Sequence, residues 1–376
     1  MNIVFVSNFL NHHQIPFCEK MIELCDNFNF IATQAGSSQG YQTTTDASYV
    51  INYNSENKNK VENMIKSADA VIFGACPNEL IDLRMRENKL SFLYSERFLK
   101  KGLWRRFIPT TRKKIKDRIV KFKNKNMYVL CASAYLSYEL SLLNFPVEKC
   151  FKWGYFPNTK ASENVTKKEN TILWAGRMLD WKHPETAINI AEKLCKDGYD
   201  FKMNIVGEGP QYSIVSDLIN QKKLNKKVKL LGSKTHDELM NMMAESEIFL
   251  FTSDFKEGWG AVLNEAMNNG CAVVANCAAG SVPYLIEDGK NGLIFNVNDS
   301  NNACEKAKYL FNNKESRQII GSNAVQTIAS LWNYEVAAER FVQIVNAINE
   351  NKNTGLFSDG PMSKAEVIKN NWYKGN

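Results

Sequence analysis

Two carboxylates, Glu257 and Glu265, are separated by seven residues in the stretch Glu257-Gly258-Trp259-Gly260-Ala261-Val262-Leu263-Asn264-Glu265. Glu257 precedes two glycines, so it falls in a loop, and Glu265 falls in the helix expected to follow. Gly258 and Gly260 let a ligand approach the backbone closely. The helix start presents free N–H groups and a positive dipole end to an anion. Upstream, Arg177 and Lys182 follow the apolar run Thr171–Ala175. A planar arginine fork and a lysine point charge just past a strand end suit a diphosphate. Each of these residues alone is also an ordinary surface ion, so the reading rests on their combination.

The elements that must position these groups follow from hydrophobic patterning. Continuous apolar runs predict strands at Ile3–Val6, Phe30–Thr33, Ala70–Gly74, Ser91–Tyr94 and Met127–Ala132. A second set is predicted at Thr171–Ala175, Phe201–Val206, Val228–Leu231, Ile248–Phe251, Ala272–Ala275 and Gly292–Phe295. Runs that do not alternate with polar residues belong to parallel sheets covered on both faces. Helical spacing covers Phe17–Leu24, His183–Lys196, Asp237–Ala244, Gly260–Asn268 and Trp332–Ile348. The polar stretch Phe156–Asn170 reads as a linker. The expected organisation is therefore an N-terminal α/β domain over 1–165, a second α/β domain over 166–331, and a return helix and tail over 332–376 packing toward the first domain. A short helix is expected over Ser363–Trp372. Tandem α/β domains of this kind place a ligand cleft between them, at the carboxyl ends of the strands.

Further candidates sit past strands of the first domain. Asn11, His12 and His13 follow the first strand, where they could touch a substrate or simply start a helix. Glu96 and Arg97 follow Ser91–Tyr94, as ligand contacts or as a surface ion pair. His183 and His236 read as helix-start residues.

The 376 residues carry 47 Lys+Arg against 40 Asp+Glu, a formal charge of +7. The segment Lys100–Lys125 alone holds twelve basic residues and one acid, Asp117, so the rest of the chain is mildly acidic. Leu103, Trp104, Phe107 and Ile108 interleave with its cations, and Ile115, Ile119 and Phe122 recur at helical spacing. A basic amphipathic helix with Trp and Phe suits an anionic membrane surface. Packing of its apolar stripe on the domain, or RNA binding, are the other readings, though no RNA-binding motif is present. Nine scattered cysteines without CxxC spacing argue against zinc and for a reducing cytosol. No apolar run reaches the ~20 residues that span a bilayer, and the start reads as a strand rather than a signal peptide. The expected location is cytoplasmic, peripheral on the inner face of the plasma membrane.

Gly-Arg-Met after a strand, Lys182, Asn204-Ile205-Val206-Gly207-Glu208-Gly209-Pro210, Leu231-Gly232, Glu257 to Glu265, Gly280-Ser281-Val282-Pro283 and Glu287-Asp288-Gly289-Lys290-Asn291-Gly292 fall in one order. In this order the chain resembles the retaining GT-B glycosyltransferases, the large group 1 (family 4-like) set with a Glu-x7-Glu motif. The resemblance is strong over roughly 170–300 and architectural over 1–169.

It implies two Rossmann-like domains facing each other across a cleft, with a C-terminal helix crossing back to the first. It also implies a retaining, metal-independent hexosyltransferase without a cofactor. A nucleotide diphosphate sugar, UDP-sugar favoured, would donate to a lipid-linked or saccharide acceptor in surface polysaccharide or glycolipid synthesis. Arg177 and Lys182 would bind the diphosphate, Glu257 the donor sugar near its anomeric carbon, and Glu265 the ribose. Backbone around Gly258, Trp259 and Gly260 would face sugar and phosphates. Gly207, Gly209, Gly232 and Ser233 would line the nucleobase pocket. Two departures stand out. The loop Ser7–Gln14 lacks the glycines usual there, and no histidine occurs between 14 and 182. His12 or His13 is then the candidate for the catalytic place, and Asn11, Glu96 and Arg97 are acceptor candidates. Other nucleotide-sugar chemistry, epimerisation or phosphorolysis, is the enzyme alternative; nucleic-acid binding through residues 100–125 is the other.

Overall fold

A computed structural model describes residues 1–34, 47–159, 165–297 and 299–375. Residues 160–164 of the expected linker lie outside these. Strands β1 (Asn2–Ser7), β2 (Asn27–Ala32), β3 (Val50–Asn52), β4 (Ala70–Phe73), β5 (Ser91–Ser95), β6 (Met127–Cys131) and β7 (Cys150–Lys152) form one parallel sheet. Its order is β3-β2-β1-β4-β5-β6-β7. Strands β8 (Lys168–Ala175), β9 (Lys202–Val206), β10 (Val228–Leu230), β11 (Ser246–Phe251), β12 (Ala272–Asn276) and β13 (Leu293–Phe295) form a second, in the order β10-β9-β8-β11-β12-β13. Central strands are buried along nearly their whole length, β4 reading Ala-Val-Ile-Phe and β12 Ala-Val-Val-Ala-Asn. Helices supply the covering faces, as the continuous apolar runs require. In each sheet the strand order reverses once, between β1 and β4 and between β8 and β11. The carboxyl end of such a switch point is where open α/β sheets bind ligands.

The chain divides into two compact units. One is Met1–Asn158 with Trp332–Lys369, the other Thr159–Leu331 with Asn370–Asn376. The return helix, Tyr334–Asn349, lays Phe341 against Phe92 and Phe17 of the first unit, with ring centroids 4.9 and 6.3 Å apart. Three features differ from the sequence expectation. The last residues join the second unit, because Trp372 Nε1 donates to the Cys277 carbonyl (3.2 Å) and the Tyr373 hydroxyl to Asp288 Oδ2 (2.7 Å). No helix forms over 363–372. Instead, Met362 to Ala365 run antiparallel along β7, with Lys152 N donating to Ser363 O (2.8 Å) and Ala365 N to Cys150 O (3.0 Å). This covers a sheet edge that would otherwise be open to pairing. Finally, β3 and β7 are three-residue edge strands, too short for a periodicity reading.

The basic block is also not one helix. It is a 3₁₀ turn (Leu103–Phe107), a helix (Pro109–Arg118) and a second 3₁₀ turn (Val120–Phe122). Ile115, Ile119 and Phe122 face the core of the first unit. Arg118 is spent on the carbonyls of Gly74 and Cys76, and Lys121 pairs with Asp82 at 2.6 Å. Trp104 (60% exposed) and Phe107 (71%) project from the first turn. Arg105 lies over the Trp104 ring and Arg106 over the Phe107 ring. Arg112, Lys113, Lys114 and Lys116 are exposed on the helix. Among the described residues, no helix is long and apolar enough to cross a membrane.

Candidate functional site

In the second unit the loops after β8, β9, β10 and β11 converge at the carboxyl ends of the strands. Gly176 N donates to Val206 O (3.0 Å), Met178 N to Glu208 O (2.8 Å) and Gly207 N to Gly232 O (2.8 Å). The segments read from sequence as Arg177, Gly207–Gly209 and Gly232 are therefore neighbours. Gly207 is required here. Its φ is +130°, and a Cβ would stand 1.9 Å from the Gly176 carbonyl oxygen. Arg177 and Ser233 are exposed at the rim.

Lys182 ends a short 3₁₀ turn, Asp180–Lys182, before the helix Pro184–Lys196. Its ammonium contacts Glu257 Oε2 at 2.5 Å, each side chain being only 14% exposed. Ser253 Oγ donates to the same carboxylate oxygen at 3.2 Å. Lys182 follows β8 and Glu257 follows β11, so the pair straddles the switch point of the sheet. Thr252 Oγ1 donates to the Lys182 carbonyl (2.5 Å) and accepts from Trp174 Nε1 (2.8 Å), which fixes the turn to both strands.

Gly260 caps the helix Ala261–Asn268 with φ 87°. A Cβ there would meet the Phe251 ring at 2.5 Å, so glycine lets the helix start against the strand end. Trp259 is fully buried, and its indole N–H donates to Asn264 Oδ1 (2.8 Å). Its carbonyl accepts from Ser281 Oγ (2.6 Å). The Trp259 side chain is therefore a packing anchor; only backbone at Gly258 and Gly260 is available for the role expected of this loop.

Glu265 points inward from the helix. It is 7% exposed, and its carboxylate has no hydrogen-bonding or ionic partner among the described residues. Burial pushes its pKa up to about 7. A buried carboxylate without a partner is costly. It is also an acceptor suited to a pair of hydroxyls.

The first unit gathers a different set. Past β1, Asn11 O accepts from Gln14 N (2.8 Å), and Gln14 Oε1 accepts from Asn11 N (3.1 Å). The His13 ring stacks on Tyr155 at 4.1 Å and 9°, and the His12 ring stands edge-on to it at 5.2 Å. Burial, with His12 adding to it, lowers the His13 pKa to about 3. Tyr155 donates to Glu96 Oε1 (2.6 Å), and Lys100 pairs with the other oxygen of Glu96. A small aromatic pocket, lined by Phe5, His13, Phe17, Tyr94 and Trp153, lies under this cluster.

One expectation is corrected here. Arg97 is turned into the fold, where Nε donates to Glu139 Oε1 (2.7 Å) and the guanidinium lies 4.8 Å from the Tyr135 ring centroid. With both side chains of that ion pair almost fully buried, Arg97 holds the domain together rather than meeting an acceptor. His13, its ring stacked on Tyr155 and its neutral form favoured by burial, forms a wall of the cluster. Sequence reasoning missed Tyr94, Tyr155, Ser253 and Asp254. Tyr155 stands at the edge of a stretch read as linker, Tyr94 and Asp254 meet partners distant in sequence (Tyr155 and His183), and Ser253 lies only four residues before Glu257 but in a loop whose spacing carries no periodic signal.

Residues 156–327 match the family model described as Glycosyl transferases group 1. An uncharacterized glycosyltransferase of Methanocaldococcus jannaschii is 31% identical over 140 residues, 37% of this chain and 39% of that protein. The poly(ribitol-phosphate) alpha-N-acetylglucosaminyltransferase of Staphylococcus aureus is 27% identical over 210 residues, 56% of this chain and 42% of that protein. The chain thus spans less than half the length of these two relatives. The crystal structure of Anabaena HepE in complex with UDP superposes with a TM-score of 0.71. It covers 92% of this chain and 100% of that one at 15% identity, which shows a shared fold. Residues 156–327 are accordingly a domain of the glycosyl transferases group 1 family, carried on a chain with the two parallel-sheet α/β domains of the GT-B fold.

Proposed function

We propose that this chain is a retaining glycosyltransferase. It takes a hexosyl group from a nucleotide diphosphate sugar, UDP-sugar favoured, and gives it to a saccharide or lipid-linked acceptor in surface polysaccharide or glycolipid synthesis. The observation that carries the reading is the constellation at the second switch point. There Lys182 is in contact with Glu257, a glycine-bounded helix start follows, and the buried carboxylate of Glu265 lacks a partner among the described residues.

Each group has a task in that chemistry. Arg177, Lys182 and the start of the helix Ala261–Asn268 meet the charge of the departing diphosphate, so the reading calls for no metal. A phosphate oxygen arriving at Lys182 would share the ammonium with Glu257, placing that carboxylate beside the anomeric carbon. Glu265 would accept from the ribose hydroxyls. The bond from the anomeric carbon to the phosphate oxygen breaks, and the acceptor oxygen bonds to the same face. The acceptor proton passes to the departing phosphate oxygen. UDP is favoured by analogy with the HepE complex, and a polymer acceptor by the name of the staphylococcal relative.

The first unit would handle the acceptor, with Glu96 and Tyr155 as hydroxyl-binding groups beside Asn11 and His12. Trp104, Phe107 and the exposed cations of Pro109–Arg118 suit an anionic membrane, which supports a peripheral, inner-face location. The test is UDP release from UDP-sugars in the presence of extracted lipid and saccharide acceptors. Acceptor-dependent release that disappears in Glu257→Ala is expected. Release independent of any acceptor would replace this reading with epimerase or phosphorylase chemistry.

A further inference from the structure

The donor site leaves one neighbouring residue without a task. His183 sits between Lys182 and the helix Pro184–Lys196 with φ 49° and ψ 53°, in the left-handed region. Glycine takes that conformation freely; histidine does so only where its surroundings hold it.

Two carboxylates hold it. The imidazole Nδ1 lies 2.7 Å from Glu185 Oε1, and Nε2 lies 3.4 Å from Asp254 Oδ2. With an acceptor at each nitrogen the ring carries both protons. Asp254 belongs to the loop that ends in Glu257. Its N–H donates to the Trp181 carbonyl (2.8 Å), and its carbonyl accepts from Glu257 N (3.0 Å). Lys256 reaches from the same loop to Asp180 of the turn at 3.1 Å. His183 is thus one residue from Lys182 and, through Asp254, three residues from Glu257.

We propose that His183 is a positioning residue for the donor site. Its imidazolium latches the turn carrying Lys182 to the loop carrying Glu257, holding ammonium and carboxylate in register for the diphosphate and its sugar. The proposal rests on the donor-site reading above.

The charged groups around the ring are Glu185 on its own helix, Asp254 and Lys256 from the loop, and Asp180 from the turn. The hydrogen bonds to Asp254 and then Glu185 raise the His183 pKa to about 9. A raised pKa makes the latch complete at neutral pH and loses it as pH climbs through about 9.

The test measures UDP affinity by calorimetry, and melting temperature, for wild type, His183→Gly and Asp254→Asn. Glycine suits the backbone while removing the latch; Asp254→Asn weakens the latch without touching residue 183. Both variants are expected to melt within a few degrees of wild type and to bind UDP at least ten-fold more weakly at pH 7.5. The wild-type advantage should shrink between pH 8 and 9.5. Wild-type affinity in His183→Gly, or in Asp254→Asn, would overturn the latch. A wild type that binds neither UDP nor a UDP-sugar would overturn the donor-site reading, and the latch with it.

Discussion

The two sheets have the same parallel architecture and end their central strands in opposite chemistry. At the β8/β11 switch point the loops carry glycines, the Lys182–Glu257 contact, an exposed arginine and a carboxylate with no partner among the described residues. At the β1/β4 switch point the loop after β1, Ser7–Gln14, carries no glycine. Polar groups nearby are satisfied internally, Glu96 by Tyr155 and Lys100, and the surface there is aromatic. One end sets an ion pair beside a buried carboxylate that has no partner among the described residues, which suits the charged, hydroxyl-rich donor proposed for it. The other presents stacked rings and one shared carboxylate, suited to a larger and less charged partner. The same fold thus carries two chemically different strand ends, and the difference lies in the side chains of their loops rather than in the sheets.

Substitutions should break this asymmetry unequally. The largest effect is expected from Glu257→Ala, with loss of about 10²–10³ in kcat by analogy with removal of one preorganised transition-state group. Circular dichroism should remain unchanged. Lys182→Ala should follow, weakening UDP roughly ten- to a hundred-fold by calorimetry, since it deletes a charge-assisted contact.

Glu265→Gln should sharpen the comparison by separating function from stability. The folded pKa of Glu265 lies above its unfolded value. Its ionisation therefore removes stability as pH rises from about 4.5 to about 7. The glutamine variant should melt higher at pH 8, by an amount of order 1–3 kcal/mol, while binding UDP more weakly. Near pH 4 the two proteins should melt alike. A variant both less stable and wild-type in binding would contradict the role given to this carboxylate.

On the first unit the effects should be smaller. Glu96→Gln is expected to raise the acceptor KM several-fold with little change in UDP affinity. Reversing Lys113, Lys114 and Lys116 to Glu should release the protein from anionic vesicles in a sedimentation assay, leaving turnover on a soluble acceptor intact. Unchanged vesicle binding would remove the membrane reading.

Much of the second site was legible because its parts sit at strand ends that continuous apolar runs mark, and because glycines fix where the backbone must bend. Arg177, Lys182, Gly207, Gly260 and Glu265 all fall where the pattern put them. What the pattern could not show is side-chain direction. Arg97 and Glu96 are adjacent in sequence, yet one enters the core to meet Glu139 and the other stays with Tyr155. In the basic block, Pro109 starts a helix and Ile119, at φ −145°, ends it. Its apolar residues are therefore split between a core face and the exposed Trp104 and Phe107. Contacts such as His183 with Asp254 join residues far apart in the chain, which no local periodicity encodes.

Hydrogen–deuterium exchange with and without UDP tests the central claim most directly, because it locates the ligand as well as detecting it. Protection is predicted at 176–183, 207–209, 231–233 and 257–268, with the loops at 11–14 and 94–97 and the block 100–125 unchanged. Protection confined to the first-unit loops or to the basic block, or no protection at saturating UDP, would contradict the assignment of the donor site to the second sheet.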